Sequence, residues 1–160
     1  MTAVDEAKFR QVLGHYPTGV VVVTAVSDGA PAGLAIGSFT SVSLDPPLVA
    51  FFPDKNSSSW PKIEAAGSFC VNVLGEDQEE ICRVFAAKGA NKFATIGWRP
   101  GHNTGSPVIN DVIAWIECTI ERVDDAGDHW IVLGRVVDLD VGAEGGPLLF
   151  FRGGYGRYEV

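Results

Sequence analysis

Residues 114 to 139 constrain the fold more than any other stretch of this 160-residue chain. Ala114, Ile116, Cys118 and Ile120 alternate with Trp115, Glu117, Thr119 and Glu121. A period of two sets apolar side chains on one face of a strand and polar ones on the other. Asp124 to Asp128 turns the chain, and Trp130 to Leu139 returns. The pattern predicts a long antiparallel hairpin with one dry face.

Other segments read as strands too. Val20 to Val26 is a β-branched run, and Ser27-Asp28-Gly29 turns it into a strand over Gly33 to Ser43. Leu48 to Phe52, Ser68 to Leu74 and Pro147 to Phe151 follow, the last before a glycine-rich tail. Helices are few and short. Phe9, Val12, Leu13 and Tyr16 fall at helical spacing behind the acids Asp5 and Glu6, and Pro17-Thr18-Gly19 ends that helix. Ser57-Ser58-Ser59-Trp60-Pro61 opens a second through Ala65, and Gln78 to Ala86 makes a third. Many strands with turn-rich joins predict a mainly β protein with short helices, a closed or nearly closed antiparallel barrel. Too few helices exist to cross over between parallel strands. No G-x-G-x-x-G follows a strand, so a Rossmann site is excluded. The length suits one domain over residues 1–160.

The formal charge of −8 argues against nucleic-acid binding, which needs a basic footprint. No apolar run approaches a membrane span, and the start from Met1 to Glu6 lacks the features of a secretory signal, so a cytoplasmic location is expected. Cys70, Cys82 and Cys118 form no metal-binding or disulfide pattern. An acidic protein that takes an anionic nucleotide must gather cations locally, which singles out Lys55, Lys88, Lys92, Arg152 and Arg157.

Four hydroxyls crowd six residues in Ser38-Phe39-Thr40-Ser41-Val42-Ser43. They mark either an edge strand facing water or a line of donors along a polar ligand such as a phosphate, a ribityl chain or a flavin edge. Ser57, Ser58 and Ser59 at a helix start suit an anion as well as a cap. Lys92-Phe93, after the loop Lys88-Gly89-Ala90-Asn91, offers a charge and a ring. His129 lies at the mouth of the long hairpin beside Asp128, which is able to orient or charge it. No nucleophile elbow, H-E-x-x-H or carboxylate pair is present, so the chemistry of an enzyme here belongs to an organic cofactor.

Taken in order, these segments resemble the flavin reductase domain family, short-chain reductases on an FMN-binding split barrel that serve two-component flavin-dependent monooxygenases. The resemblance runs from Phe9 to Tyr158. It rests on Tyr16-Pro17-Thr18-Gly19, on Ser38 to Val49, on Ser58-Ser59-Trp60, on Phe69 to Leu74, on Lys92-Phe93, on Gly127-Asp128-His129 and on Pro147 to Phe150. It implies that Gly37, Ser38, Phe39, Thr40, Ser41, Val42 and Ser43 line a flavin. It also implies that Ser57, Ser58, Ser59 and Trp60 hold phosphate, with Lys92 and Phe93 flanking it. His129, Arg152, Gly153 and Tyr155 fall to the nicotinamide. The family also implies FMN or FAD, NADH or NADPH as hydride donor, a homodimer with flavin near the subunit interface, and a separate monooxygenase fed by diffusible reduced flavin. Ala35-Ile36-Gly37 stands where Thr-Ala-Asn is common, Asn91 where Asp is, and Arg135 where Glu is. These departures leave the choice between FMN and FAD open.

The activity so implied is NAD(P)H:flavin oxidoreduction, with direct hydride transfer between two stacked rings and no protein acid required. Two other readings share the barrel: a flavin-binding electron-transfer protein without NAD(P)H turnover, and an amine oxidase of the pyridoxamine-phosphate type. The Gly-Asp-His turn and the serine-rich strand speak against the last.

Overall fold

The computed structural model describes residues 3–89 and 91–159. Ala90, in the loop before Lys92, and Met1 and Thr2, at the start of the segment read for a signal, lie outside them. In chain order the elements are α1 (Glu6–Leu13), β1 (Thr18–Gly19), β2 (Val21–Ser27), β3 (Ala30–Ile36), β4 (Phe39–Ser43), β5 (Leu48–Phe51), α2 (Trp60–Ala66), β6 (Ser68–Val73), α3 (Glu79–Ala86), β7 (Trp98–Pro100), β8 (Pro107–Ile109), β9 (Ala114–Ala126), β10 (His129–Val141), β11 (Leu148–Phe151) and β12 (Gly154–Arg157).

The main sheet has seven strands in the order β3-β2-β6-β9-β10-β5-β4, each paired antiparallel with its neighbours. Its two edge strands, β3 and β4, are consecutive in the chain with only Gly37 and Ser38 between them. The sheet must therefore curl until its edges nearly meet, which is a split barrel. Val21, Val23, Phe51, Phe69, Val71, Cys118 and Val132 fill the interior, and α2 adds Trp60 and Ile63 to it. A second apolar cluster joins Val22, Cys70 and Leu74 to Cys82 and Phe85 of α3 and to Val108, Ile109 and Leu148. It forms because β2 and β6 are buried on both faces, their mostly apolar runs broken only by the buried, hydrogen-bonded Thr24 and Asn72.

The long hairpin forms as the alternation predicts, with β9 and β10 paired over their length through two register shifts. The reading of Glu117 as a solvent-facing residue is corrected: its side chain is fully buried. Thr104 donates to it through its backbone N–H (3.0 Å) and its hydroxyl (2.7 Å), pinning the 101–106 segment over this face. Only glycine fits at 101, because a Cβ there would lie 2.0 Å from the carboxylate.

Three further expectations change. The strand expected over Gly33 to Ser43 is broken at Gly37-Ser38, where the chain passes from one sheet edge to the other. The glycine-rich tail pairs with β11 as β12, and β1 joins them in a three-stranded sheet. The hairpin turn is the tight Gly127-Asp128 rather than Asp124 to Asp128, since pairing continues to Ala126↔His129. Helix α1 forms where expected, with Asp5 accepting from the Ala7 N–H at 3.0 Å. It buries none of its residues, however. Among the described residues no helix is long and apolar enough to cross a membrane.

Candidate active site

A groove of about 500 Å³ opens beside the seam between β3 and β4. Leu34, Ala35, Ile36 and Ser38 line it on the sheet side, Ala86, Ala87 and Lys88 at the end of α3, and Asp54, the residues from Asn56 to Ser59 and His129 between them. It shares Ala35, Ile36 and Ala86 with a smaller open pocket of about 160 Å³, lined also by Val20, Gly37, Cys82, Phe150 and Tyr155. One end is cationic and rich in hydroxyls; the other is apolar and aromatic. That polarity fits an amphipathic anion with a phosphate at one end and a ring system at the other.

At the polar end the Lys92 ammonium donates to the Phe85 carbonyl (2.9 Å), the Gly33 carbonyl (3.4 Å) and the Ser59 hydroxyl (3.5 Å). Burial, and then the charge of Lys62, hold its pKa below the ordinary lysine value. Among the described residues no carboxylate forms an ion pair with it. Ser57 rather than Ser59 caps α2: its hydroxyl accepts from the N–H groups of Ser59 (3.3 Å) and Trp60 (3.2 Å). Ser58 lines the groove and is exposed. Lys88 lines it as well, whereas Lys55 is paired with Asp125 and Arg157 with Asp77.

His129 stands at the rim, bridged to Asp54 across the backbone. Its Nδ1 donates to the Asp128 carboxylate at 2.7 Å. That hydrogen bond and the imidazole charge hold Asp128 below the usual carboxylate range. Adjacent residues on a strand would diverge; these two meet because Asp128 sits in the turn and only His129 in β10.

The remaining predicted residues divide. Gly37 and Tyr155 line the small cavity. Ser38 lines the groove and its hydroxyl donates to the Phe52 carbonyl at 3.2 Å. Phe39 packs against the barrel core. Thr40, Ser41, Val42 and Ser43 lie on edge strand β4, outside the groove lining, the first three exposed. Trp60 is buried edge-on against Phe51 and is not part of the groove lining. Phe93 packs edge-on against Phe85 (4.9 Å between centroids) and Trp98 rather than lining the groove. Arg152 and Gly153 form the tip of the β11–β12 hairpin, where φ is 52° and 79°, and the Arg152 N–H donates to the Gly14 carbonyl at 2.9 Å. Sequence reasoning gave no role to Cys82 or Lys62; neither carries a motif.

A larger cavity, about 730 Å³, lies across α3, lined by Glu76, Asp77, Glu80, Asp111 and Glu144 among others. These carboxylates repel an anionic ligand, so size does not make it the better candidate.

A model of the flavin reductase like domain matches residues 13–159. A flavin reductase of Pseudomonas putida is 56% identical over 99% of this chain and 94% of its own length. Nitrilotriacetate monooxygenase component B from Mycobacterium thermoresistibile superposes with a TM-score of 0.94 at 47% identity, covering 97% of this chain and 87% of that one. The NADH:FAD oxidoreductase of Streptomyces globisporus, solved in complex with NAD and FAD fragments, superposes with a TM-score of 0.91 at 37% identity over 99% and 98% of the two chains.

Proposed function

The chain belongs to the flavin reductase like domain family, and from that premise we propose that it transfers hydride from NADH or NADPH to FMN or FAD and yields the reduced flavin to a separate monooxygenase. Relatives named as a flavin reductase and an NADH:FAD oxidoreductase support the first step, and one named as a monooxygenase component supports the second. The observation that carries the reading is the groove itself, with an unpaired, partly desolvated lysine at one end and an aromatic pocket at the other.

A bound flavin supplies the ring that accepts hydride. In this reading Lys92 and the hydroxyls of Ser57, Ser58 and Ser59 hold its phosphate. The backbone at Gly37 and Ser38 borders its ring, with Phe39 to Ser43 continuing that edge on β4 beyond the groove, and Trp60 and Phe93 support the phosphate end from the core. His129 and Tyr155 serve the nicotinamide, with Arg152 and Gly153 carrying the hairpin that presents Tyr155. The chain contributes orientation, holding two rings at reacting distance.

The same reading takes residues 1–160 as one domain, located in the cytoplasm, and a homodimer as the working form. The free cysteines support a reducing compartment. An unusual apolar surface supports the dimer: Phe9, Val12 and Leu13 on α1 with Tyr16 just after it, Leu44 between β4 and β5, and Leu139 and Val141 where β10 outruns β5, are all at least half exposed. Sedimentation velocity checks this, and a species of one-chain mass at micromolar concentration overturns it.

The activity test is direct. Purified protein with NADH or NADPH and free FMN or FAD is expected to oxidise the nicotinamide in a flavin-dependent manner. No turnover in any of the four combinations refutes the assignment.

A further inference from the structure

One contact in the small cavity joins segments far apart in sequence. The Cys82 thiol and the Tyr155 hydroxyl share a hydrogen bond, Sγ to Oη 3.3 Å. Cys82 lies on α3 and is 4% exposed; Tyr155 lies on β12, next to the chain's end. The face of α3 built by Glu79, Cys82, Arg83 and Ala86 follows helical spacing and turns toward the tyrosine. The Arg83 guanidinium lies 5.0 Å from the Tyr155 ring centroid and is itself held by Glu79 at 2.8 Å. Phe150 meets the same ring edge-on at 5.3 Å. A short tail strand is thus fixed at its one large side chain by a cation, an aromatic edge and a thiol.

The thiol is not a nucleophile. Burial raises its pKa, and nothing beside it acts as a base. Its chemistry here is that of a weak hydrogen-bonding partner. The cavity it lines takes a single heteroaromatic ring, whereas a three-ring flavin belongs in the larger groove next to it.

We propose that Cys82 is a positioning residue for hydride transfer, fixing the Tyr155 ring as the wall against which the nicotinamide ring is seated. The inference rests on the reductase reading above and assigns a role to a residue outside the predicted set.

The test compares Cys82→Ala, Cys82→Ser, Tyr155→Phe and the double variant Cys82→Ala/Tyr155→Phe. Dissociation constants for NAD+ and for FMN are read separately by tryptophan fluorescence, without turnover, alongside KM and kcat for NADH. Loss of one neutral hydrogen bond predicts that Cys82→Ala and Tyr155→Phe each weaken NAD+ binding and raise the KM for NADH by about three- to ten-fold. The double variant is expected to be no worse than either single one, because both remove the same contact. Serine, which keeps a donor and acceptor, restores most of the loss. FMN affinity stays within about two-fold.

Wild-type values for Cys82→Ala, additive losses in the double variant, failure of serine to rescue, or a loss confined to FMN each overturn the inference. A wild-type protein that neither oxidises NADH nor binds NAD+ overturns the reductase reading instead, and this inference with it. An active wild type beside an unaffected Cys82→Ala overturns the inference alone.

Discussion

Replacing Lys92 by methionine separates what this residue does for the ligand from what it does for the fold. The substitution keeps the stem length and removes the charge. A hydrogen bond from a charged donor contributes about 1.5–3 kcal/mol, so the dissociation constant for FMN is expected to rise about ten- to 140-fold. Stability should hardly change. The Phe85 carbonyl loses its 2.9 Å donor, but a desolvated cation beside Lys62 is removed as well, and the two effects oppose each other. A difference within about 1 kcal/mol by urea unfolding is expected. The pH dependence adds a second signature. Lys92 loses its proton at lower pH in the folded protein than in the unfolded chain, where the value is 10.5. Between those limits the unfolded state binds more protons, so this group makes the free protein more stable as pH rises. A bound phosphate favours the charged form, so flavin affinity falls across the same alkaline window. The two Lys92 contributions have opposite signs, and each is read as the difference between wild type and Lys92→Met, because the raised Cys70, Cys82, Cys118 and Tyr155 titrate in the same range and lower the stability of both proteins as pH rises. Fluorescence titration of FMN and urea unfolding at several pH values measure them. Wild-type affinity in the variant, or pH slopes identical in variant and wild type, refutes the reasoning.

Two further outcomes test the rest of the frame. Glu117→Ala removes the acceptor that Thr104 uses twice and leaves those donors half-buried, for a loss of roughly 1–3 kcal/mol by denaturant unfolding, while Glu117→Gln keeps one acceptor and costs less; equal stability of the alanine variant would contradict the pinning role. His129→Ala should raise the KM for NADH with little change in FMN affinity, and a loss of FMN affinity instead would reverse the placement of the two ligands.

What could be read in the chain follows from what periodicity reports. The β9–β10 hairpin was legible because its apolar positions alternate without a break. Glu117 was misread for the same reason: alternation separates two faces but does not say that both are covered. The cover comes from residues 101–106, an aperiodic loop tied to the sheet by a buried carboxylate. The break at Gly37-Ser38 was invisible because small residues carry no phase. Strand β12 was missed because Gly154-Tyr155-Gly156 pairs through its backbone, with almost no side chains to show it. In the candidate site the serines, Lys92 and His129 were found by residue type and neighbourhood. The Cys82–Tyr155 contact spans 73 positions, and no local signal joins its partners.

The two ends of the groove are set by one short helix. At the polar end, Lys92 donates to the carbonyl of Phe85, in the last turn of α3. At the aromatic end, Cys82, one turn earlier, holds Tyr155. The distance of α3 from β3 depends on Gly33, where a Cβ would stand 2.8 Å from the Phe85 ring. That ring is 1% exposed and wedged against Phe93, so it has no room to withdraw. A glycine in the middle of a strand weakens it, and here the close approach of the helix accounts for its use. The consequence is a fixed separation between the cation proposed to meet a phosphate and the ring proposed to meet a heterocycle. Displacing α3 would disturb both ends together. A change confined to Lys92 or to Cys82 touches one end only, so the two sets of variants should fail on different ligands.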